Sequence, residues 1–518
     1  MKIFDLEFLD SPSESRLIAA LYKVLIVVLF AFILQAAFLR NMQNYTDHDD
    51  NPYNAGAKVT ADEGLLPYKD YRLIHMPYYV FTYALILELT PSLTLSARII
   101  SLASFFTMLV LIFYSIQNSL YHKNQLFRFI VGASALLFIM YNPFVQYAFA
   151  RFTYDFPLLL SILSFLVLTS TETSTRLPLK TAISGLLLGV AVGFRMHFIF
   201  FIIPFALGIL LFQKESITVK MKQFLYFSLG VFAGLIPVFI LISMAPKGFL
   251  FDIYQFHFKI DMKAQPGAAL SLVEKLSELF DKVLEKWQSS VLIAGLIWVL
   301  ILKTFNLIKD DRLNFKINVL LLTLPFLVYL SVGKMLIIQY VYPLSVFLIV
   351  VIFYTLGSQK KYFNYVAILF FVLSIIPPLE VNYKKTYNIK TTESWYALSR
   401  HRISTLVDEA INGEAKVLTL SPAEILESDS ISIYKEFVSS PFIWRTSHSI
   451  PDDTRKDFNI ISKKEVDNFM QTDQPEAILT GYYPTDLEIK FVEFAQKNGY
   501  RKVDLPTERK LKLYIKEK

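Results

Sequence analysis

The 518-residue chain has no cysteine. No disulfide can form, and no thiolate can hold a metal, so any metal would need histidine and carboxylate ligands. Charge is scarce as well. Only 18% of residues are Asp, Glu, Lys or Arg, against about a quarter in soluble domains. A formal charge of +7 comes with no basic patch interleaved with aromatics, so nucleic acid is not an expected partner. There is no internal repeat and no low-complexity tract. A cleavable signal is also missing. The first apolar run, 17–38, is too long for a signal core and lacks a small-residue cleavage site, so it reads as a retained span.

What the chain has is apolar length. Hydrophobic residues make up 54% and mean hydropathy is +0.44. Apolar stretches fall at 17–39, 98–117, 126–147, 156–170, 180–194, 196–213, 223–244, 290–308, 317–331, 335–356 and 362–379. Many approach or exceed the roughly 18–20 residues that cross a bilayer. The expectation is an all-α polytopic membrane protein with about eleven spans.

Positive charge between the stretches sets the expected orientation. Loops read as cytoplasmic carry Lys2 and Arg16, Lys123, Arg176 and Lys180, Lys214, Lys220 and Lys222, Lys309, Arg312 and Lys316, and Lys360 and Lys361. Loops read as external carry single cations such as Arg151, Arg195 and Lys334. Pro77–Leu89 is apolar but short, and counting it as a span would invert every later loop. It is therefore read as an interfacial or re-entrant helix, which leaves the C-terminus outside. The absence of cysteine and of targeting signals fits a bacterial inner membrane, with this side facing out.

Three polar regions are expected on that side: 40–97, 245–289 and 380–518. The last reads as a small α/β domain appended to a membrane domain of residues 1–379. Strands are expected at 416–420, 476–480 and 510–515. Capping boxes are expected at Ser421–Glu424 and Thr485–Glu488. Leu487, Phe491, Phe494 and Ala495 should line one helix face, which Asn498-Gly499 ends.

Several residues carry chemical potential. Asp47, His48, Asp49 and Asp50 crowd the exit of the first span. A carboxylate held at a bilayer surface is partly desolvated, which moves it toward a general base's range. Asp155, in TYDFPLLL, stands at the mouth of the fourth span, either as a functional charge or as a helix N-cap. His75 and His257 are ligand-type residues in polar segments. Arg195 and Lys334 sit at apolar edges, and Lys69 and Arg72 lie in PYKDYR. Each cation either snorkels to headgroups or holds an anionic lipid phosphate.

The segment DDNPYNAGAKVTADEGLLPYKDYRLIHMPYY resembles the first loop of the polyprenyl-phosphate-sugar-dependent glycosyltransferases of the GT-C superfamily. That group includes the protein O-mannosyltransferases and the lipid A aminoarabinose transferase. The resembling residues are Asp49, Asp50, Tyr53, Gly64, Pro67, Tyr68, Asp70, His75 and Pro77, followed by Arg98. Further on, Asp155 resembles the second acid, Arg195 the cation that ends a glycine-rich helix, and Lys334 the late lysine before a Tyr–Pro helix. The sequence departs from the pattern at Asn51-Pro52 and at Met76.

The resemblance implies transfer of a sugar, with inversion, from a polyprenyl-phosphate carrier to a hydroxyl on a glycan, lipid or protein. It implies Asp49 as base, with Asp50 and Asp155 beside it. Arg195, Lys334 and Arg72 would bind the donor phosphate, and His75 and His257 would be the ligands if a divalent metal takes part. The alternative class is a transporter or flippase of lipid-linked saccharides. An O-antigen polymerase or ligase is a third reading.

Overall fold

The computed structural model describes residues 16–43, 51–121, 123–149, 153–170, 177–261, 270–285, 287–308, 310–333, 338–357, isolated positions between 368 and 392, 395–440, 442–483, 485–507 and 511–517. Asp47–Asp50 and Lys334 lie outside these residues, as does most of the stretch 362–379.

The other ten apolar stretches coincide with helices. The chain enters through α1 (Arg16–Gln43), α2 (Asn51–Glu63), α3 (Tyr78–Leu89) and α4 (Leu93–Ser119). Then come α5 (Gln125–Tyr141), α6 (Pro143–Ala148), α7 (Asp155–Thr169) and α8 (Leu177–Phe194). A 3-10 turn, Met196–Phe201, leads into α9 (Ile202–Phe212). After it run α10 (Ile217–Gly234), α11 (Ile236–Met244), α12 (Leu272–Leu284), α13 (Trp287–Thr304), α14 (Asp311–Gly333) and α15 (Ile338–Gly357). Among the described residues, five helices are long and apolar enough to cross a membrane, or six if the bent pair α10–α11 is one span. Leu17, Leu21, Val24, Val27 and Val28 of α1 stay exposed. A row of that kind is costly in water and at home in lipid. The chain is an integral membrane protein.

Local chemistry explains where the stretches break. The run 126–147 divides because the Asn142 side chain accepts from the amides of Phe144 and Val145, capping a new helix with Pro143 at its start. The 54° bend between α10 and α11 falls where Pro237 removes an amide from the ladder.

Helices α8 and α10 pack along each other through glycine. Gly185 and Gly189 of α8 lie against the backbone of Phe227 and Val231, and Gly230 lies against that of Ala182. A Cβ at Gly234 would come within 2.6 Å of the Leu186 carbonyl oxygen. Small residues allow this close approach, which is how helices associate where no hydrophobic gradient drives them together. The seam continues to α3. Tyr78 donates to the Gly234 carbonyl at 2.6 Å, and its ring fills the space that a Cβ at Gly193 would need.

The C-terminal part is α/β, as expected. Helix α16 (Tyr396–Ile411) precedes a five-stranded sheet of order β2-β1-β3-β5-β4. The strands are β1 (Ala415–Thr419), β2 (Ile431–Ile433), β3 (Ala477–Thr480), β4 (Arg501–Asp504) and β5 (Lys512–Ile515). β1 is parallel to β2 and β3, while β5 runs antiparallel to β3 and β4. Helix α17 (Thr485–Lys497) buries Phe491, Phe494 and Ala495, and Gly499 ends it at φ +70°. The capping boxes are corrected. Pro422–Glu424 is one 3-10 turn, in which Ser421 makes no side-chain cap and Glu424 pairs with Arg400. Glu488 reaches the amides of Gly481 and Tyr483 instead of capping its own helix.

Gly189→Leu is expected to destabilise the protein by about 1–3 kcal/mol or more, because the clash is with backbone that cannot rotate away. Thermal unfolding in detergent, with Leu187→Ile on the same helix as reference, checks this.

Candidate active site

The first polar segment folds on its own polar groups. Gly64, at φ +68°, ends α2, with its amide bonded to the Thr60 carbonyl and the Leu65 amide to that of Val59. Asp70 accepts from the Leu66 amide at 2.8 Å. Tyr68 holds φ +68°, uncommon for a side chain of its size, and three contacts hold it there. Its amide donates to the Tyr71 carbonyl, its hydroxyl to the His75 carbonyl at 2.7 Å, and its own carbonyl accepts from Arg72. Gly64, Tyr68 and Asp70 therefore shape the segment.

The turn brings His75 back onto α2. Its ring stacks on Tyr53 at 4.7 Å, and Tyr53 meets Tyr79 edge-on at 5.3 Å. On this aromatic wall sits Arg195, buried where α8 gives way to the 3-10 turn. Its guanidinium lies 4.4 Å from the Tyr154 ring centre and 5.5 Å from that of Tyr53. Nε and Nη2 both donate to the Thr153 hydroxyl, at 2.9 and 2.5 Å. Tyr79 donates to the Thr153 carbonyl at 3.0 Å.

Asp155 opens α7 two residues later and is 1% exposed. Its carboxylate accepts from Tyr342 at 2.8 Å and from Ser101. Tyr154 precedes it at the N-cap position, and the Asp155 carboxylate reaches across to α4 and α15. Tyr340 lies against His197 at 4.4 Å and near Tyr154 at 6.2 Å. So the 153–155 turn, the end of α8, the segment 53–79, α4 and the start of α15 converge on one place. Asp49 and Asp50 immediately precede α2 in the chain, and Lys334 lies four residues before α15.

A second buried group lies beside it. Asp252, within the π-helical stretch Phe251–Asp261, is fully buried. It accepts from the Leu73 amide at 3.1 Å and lies 3.7 Å from Arg72 Nη1. Burial pushes its carboxyl up to about 7, against the pull of Arg72 and the Leu73 amide. Arg72 also lies over Phe458, at 5.0 Å. His257 Nε2 is 2.5 Å from the Ile74 carbonyl, and its ring stacks on His75 at 6.1 Å. The two histidines do meet, but as near-parallel rings, whereas zinc ligands converge on one point. Among the described residues no three His, Asp or Glu side chains gather as a metal site.

Thr153, Tyr79, Ser101, Tyr342 and Asp252 belong to this constellation and were not picked out by the sequence. Asp252 had a signal, a lone acid inside the aromatic run FLFDIYQFHF. Tyr340 and Tyr342 read as membrane-belt residues, and nothing local ties Tyr342 to Asp155 across the chain.

No protein-family model matches the sequence, and no curated protein matches it. Solved structures do. ArnT from Cupriavidus metallidurans, bound to undecaprenyl phosphate, is similar over 94% of this chain and 97% of its own, at 10% identity and a TM-score of 0.58. The same protein in the apo state has the same coverage and identity, with a TM-score of 0.57. The Archaeoglobus fulgidus oligosaccharyltransferase, in the apo form, is similar at 10% identity over 90% of this chain and 71% of its own. Its TM-score of 0.47 is too low to argue from. The chain has the fold of the two ArnT structures.

Proposed function

We propose that this protein is a membrane glycosyltransferase that moves a sugar from a polyprenyl-phosphate carrier to an acceptor hydroxyl, on the external face and with inversion. The observation that carries the reading is the convergence, on a fold like that of ArnT, of Asp155, Arg195 and the segment beginning right after Asp49 and Asp50. The polyprenyl-phosphate donor is supported by the undecaprenyl phosphate bound in the ArnT structure.

In this reading the acceptor oxygen attacks C1 of the sugar as the bond from C1 to the phosphate oxygen breaks. The electron pair of that bond leaves with the polyprenyl phosphate, and the acceptor proton passes to the Asp49 carboxylate. One displacement on the face opposite the phosphate inverts C1. Arg195, its plane held by Thr153 and two tyrosine rings, meets the growing phosphate charge, a role it would share with Lys334. Asp155, fixed by Ser101 and Tyr342, orients the acceptor together with Asp50. Arg72 is committed to Asp252 and the Tyr68 carbonyl. We assign it, with His75 and His257, to the wall behind the site. Residues 1–379 would be the transferase domain and 380–518 an extracytoplasmic domain of a bacterial inner-membrane protein.

Purified protein in liposomes, given radiolabelled polyprenyl-phosphate sugars, should release free polyprenyl phosphate. Asp49→Asn should lower turnover about 10²–10⁴-fold, the usual share of a general base. Arg195→Ala should lower kcat about 10²–10³-fold, more than it changes KM. Labelled lipid that crosses the bilayer without release of polyprenyl phosphate would favour the transporter instead.

Tyr342→Phe removes one hydrogen bond to Asp155 and is expected to cost roughly tenfold in kcat with little change in thermal stability. An undiminished kcat would leave Asp155 without its proposed orienting partner.

A further inference from the structure

The C-terminal sheet meets the first polar segment. Loops at the ends of its three parallel strands, β2, β1 and β3, touch that segment, two of them at carboxyl ends and one, through Ser428, just before β2. Between β1 and β2, the Ser428 carbonyl accepts from Lys58 at 2.8 Å. After β2, Ser439 donates to the Arg72 carbonyl at 2.7 Å. After β3, the Tyr483 hydroxyl accepts from Asn51 at 3.2 Å. Asn51 follows Asp50 directly.

The strand order gives the carboxyl edge further meaning. The chain leaves β1 for β2 on one side and returns to β3 on the other. Open α/β sheets bind ligands where the winding reverses, outside the carboxyl ends of the strands. Here that place lies between the ends of β1 and β3. It holds the loop Gly481–Tyr482–Tyr483 and the buried pair Arg400–Glu424. Arg400 lies over the Tyr482 ring at 5.5 Å, and the two tyrosine rings meet edge-on at 4.6 Å.

The loop is held in shape at a cost. Gly481 takes φ +98°, which a side chain would resist. Glu488, only 3% exposed, spends its carboxylate on the amides of Gly481 and Tyr483, at 2.7 and 3.3 Å. Both tyrosines remain partly exposed. A half-exposed tyrosine offers an apolar face and a polar tip. A sugar ring offers the same pairing, a face of C–H bonds with hydroxyls at its rim.

We propose that the Gly481–Tyr483 loop is a saccharide-binding platform that receives the acceptor glycan beside Asn51. The proposal rests on the glycosyltransferase reading and adds the acceptor's chemical class. The C-terminal domain then supplies one wall of the site, and Tyr482 and Tyr483 are its specificity residues.

The test uses the full chain in lipid nanodiscs. Saturation-transfer NMR is run with a panel of methyl glycosides of the common hexoses, hexosamines and pentoses. Undecaprenyl phosphate binding is measured separately by native mass spectrometry. At least one glycoside should receive saturation, and Tyr482→Ala/Tyr483→Ala should weaken its binding roughly tenfold. Tyr483→Phe, which keeps the ring and loses the link to Asn51, should retain it. Tyr483→Leu, which keeps bulk without the ring, should weaken it even if the double variant does not fold. Undecaprenyl phosphate binding should be unchanged in every folded variant. No transfer to any glycoside overturns the platform, as does transfer unchanged in the ring-less variants. Transfer that undecaprenyl phosphate displaces would put the sugar on the donor side and overturn the acceptor assignment. Glycoside binding through the tyrosines, without any binding of undecaprenyl phosphate, would sink the donor reading and leave the platform standing.

Discussion

The close approach of α8 and α10 is the constraint on which the site depends. Backbone meets backbone along Gly185, Gly189, Gly230 and Gly234, so the spacing of the two helices is fixed by peptide groups. Side chains can change rotamer to relieve crowding, whereas peptide groups cannot. The end of α8 is therefore set in depth, and Arg195 stands one residue beyond that end. Tyr78 joins the same seam from the other side, and it begins the helix that follows His75. One packing contact thus places both the cation and the aromatic wall it rests on.

That placement explains how buried charge is tolerated. An isolated ion in a low-dielectric interior costs several kcal/mol even after relaxation, on the order of what one domain has in total. Arg195 meets that cost with two hydrogen bonds to Thr153 and two ring faces. Asp155 meets it with two hydroxyls. Hydroxyl and aromatic partners stabilise a charge while leaving its sign in place. In the proposed transfer, a charged lipid phosphate and an acceptor proton would call on both signs.

The membrane part of the fold was legible because its signal is local. Apolar length is read directly along the chain, and ten stretches fall on helices, five or six of which, among the described residues, are long enough to span. Arg195 and Asp155 were legible because a charge at an apolar edge is conspicuous. What failed was pairing across the chain. Tyr342 to Asp155, separated by 187 positions, leaves no trace in periodicity. Glu424 and Glu488 fit capping boxes by spacing, yet each answers a stronger demand, one from buried Arg400 and one from loop amides. β2 has only three residues and β4 is almost wholly exposed, so neither shows the alternation that marks a strand.

The C-terminal sheet shows why an α/β element suits this position. Parallel strands gather their carboxyl ends on one edge, and that edge is built of loops. Loops at both ends of these strands meet the first polar segment here, through Ser428 just before β2, Ser439 after β2 and Tyr483 after β3. Two of them are side-chain to backbone contacts, in which Lys58 donates to the Ser428 carbonyl and Ser439 donates to the Arg72 carbonyl. The third contact runs side chain to side chain, from Asn51 to Tyr483. Backbone contacts hold position and side-chain contacts discriminate. The division puts the anchoring at Lys58 and Arg72 and leaves the end beside Asp50 for recognition.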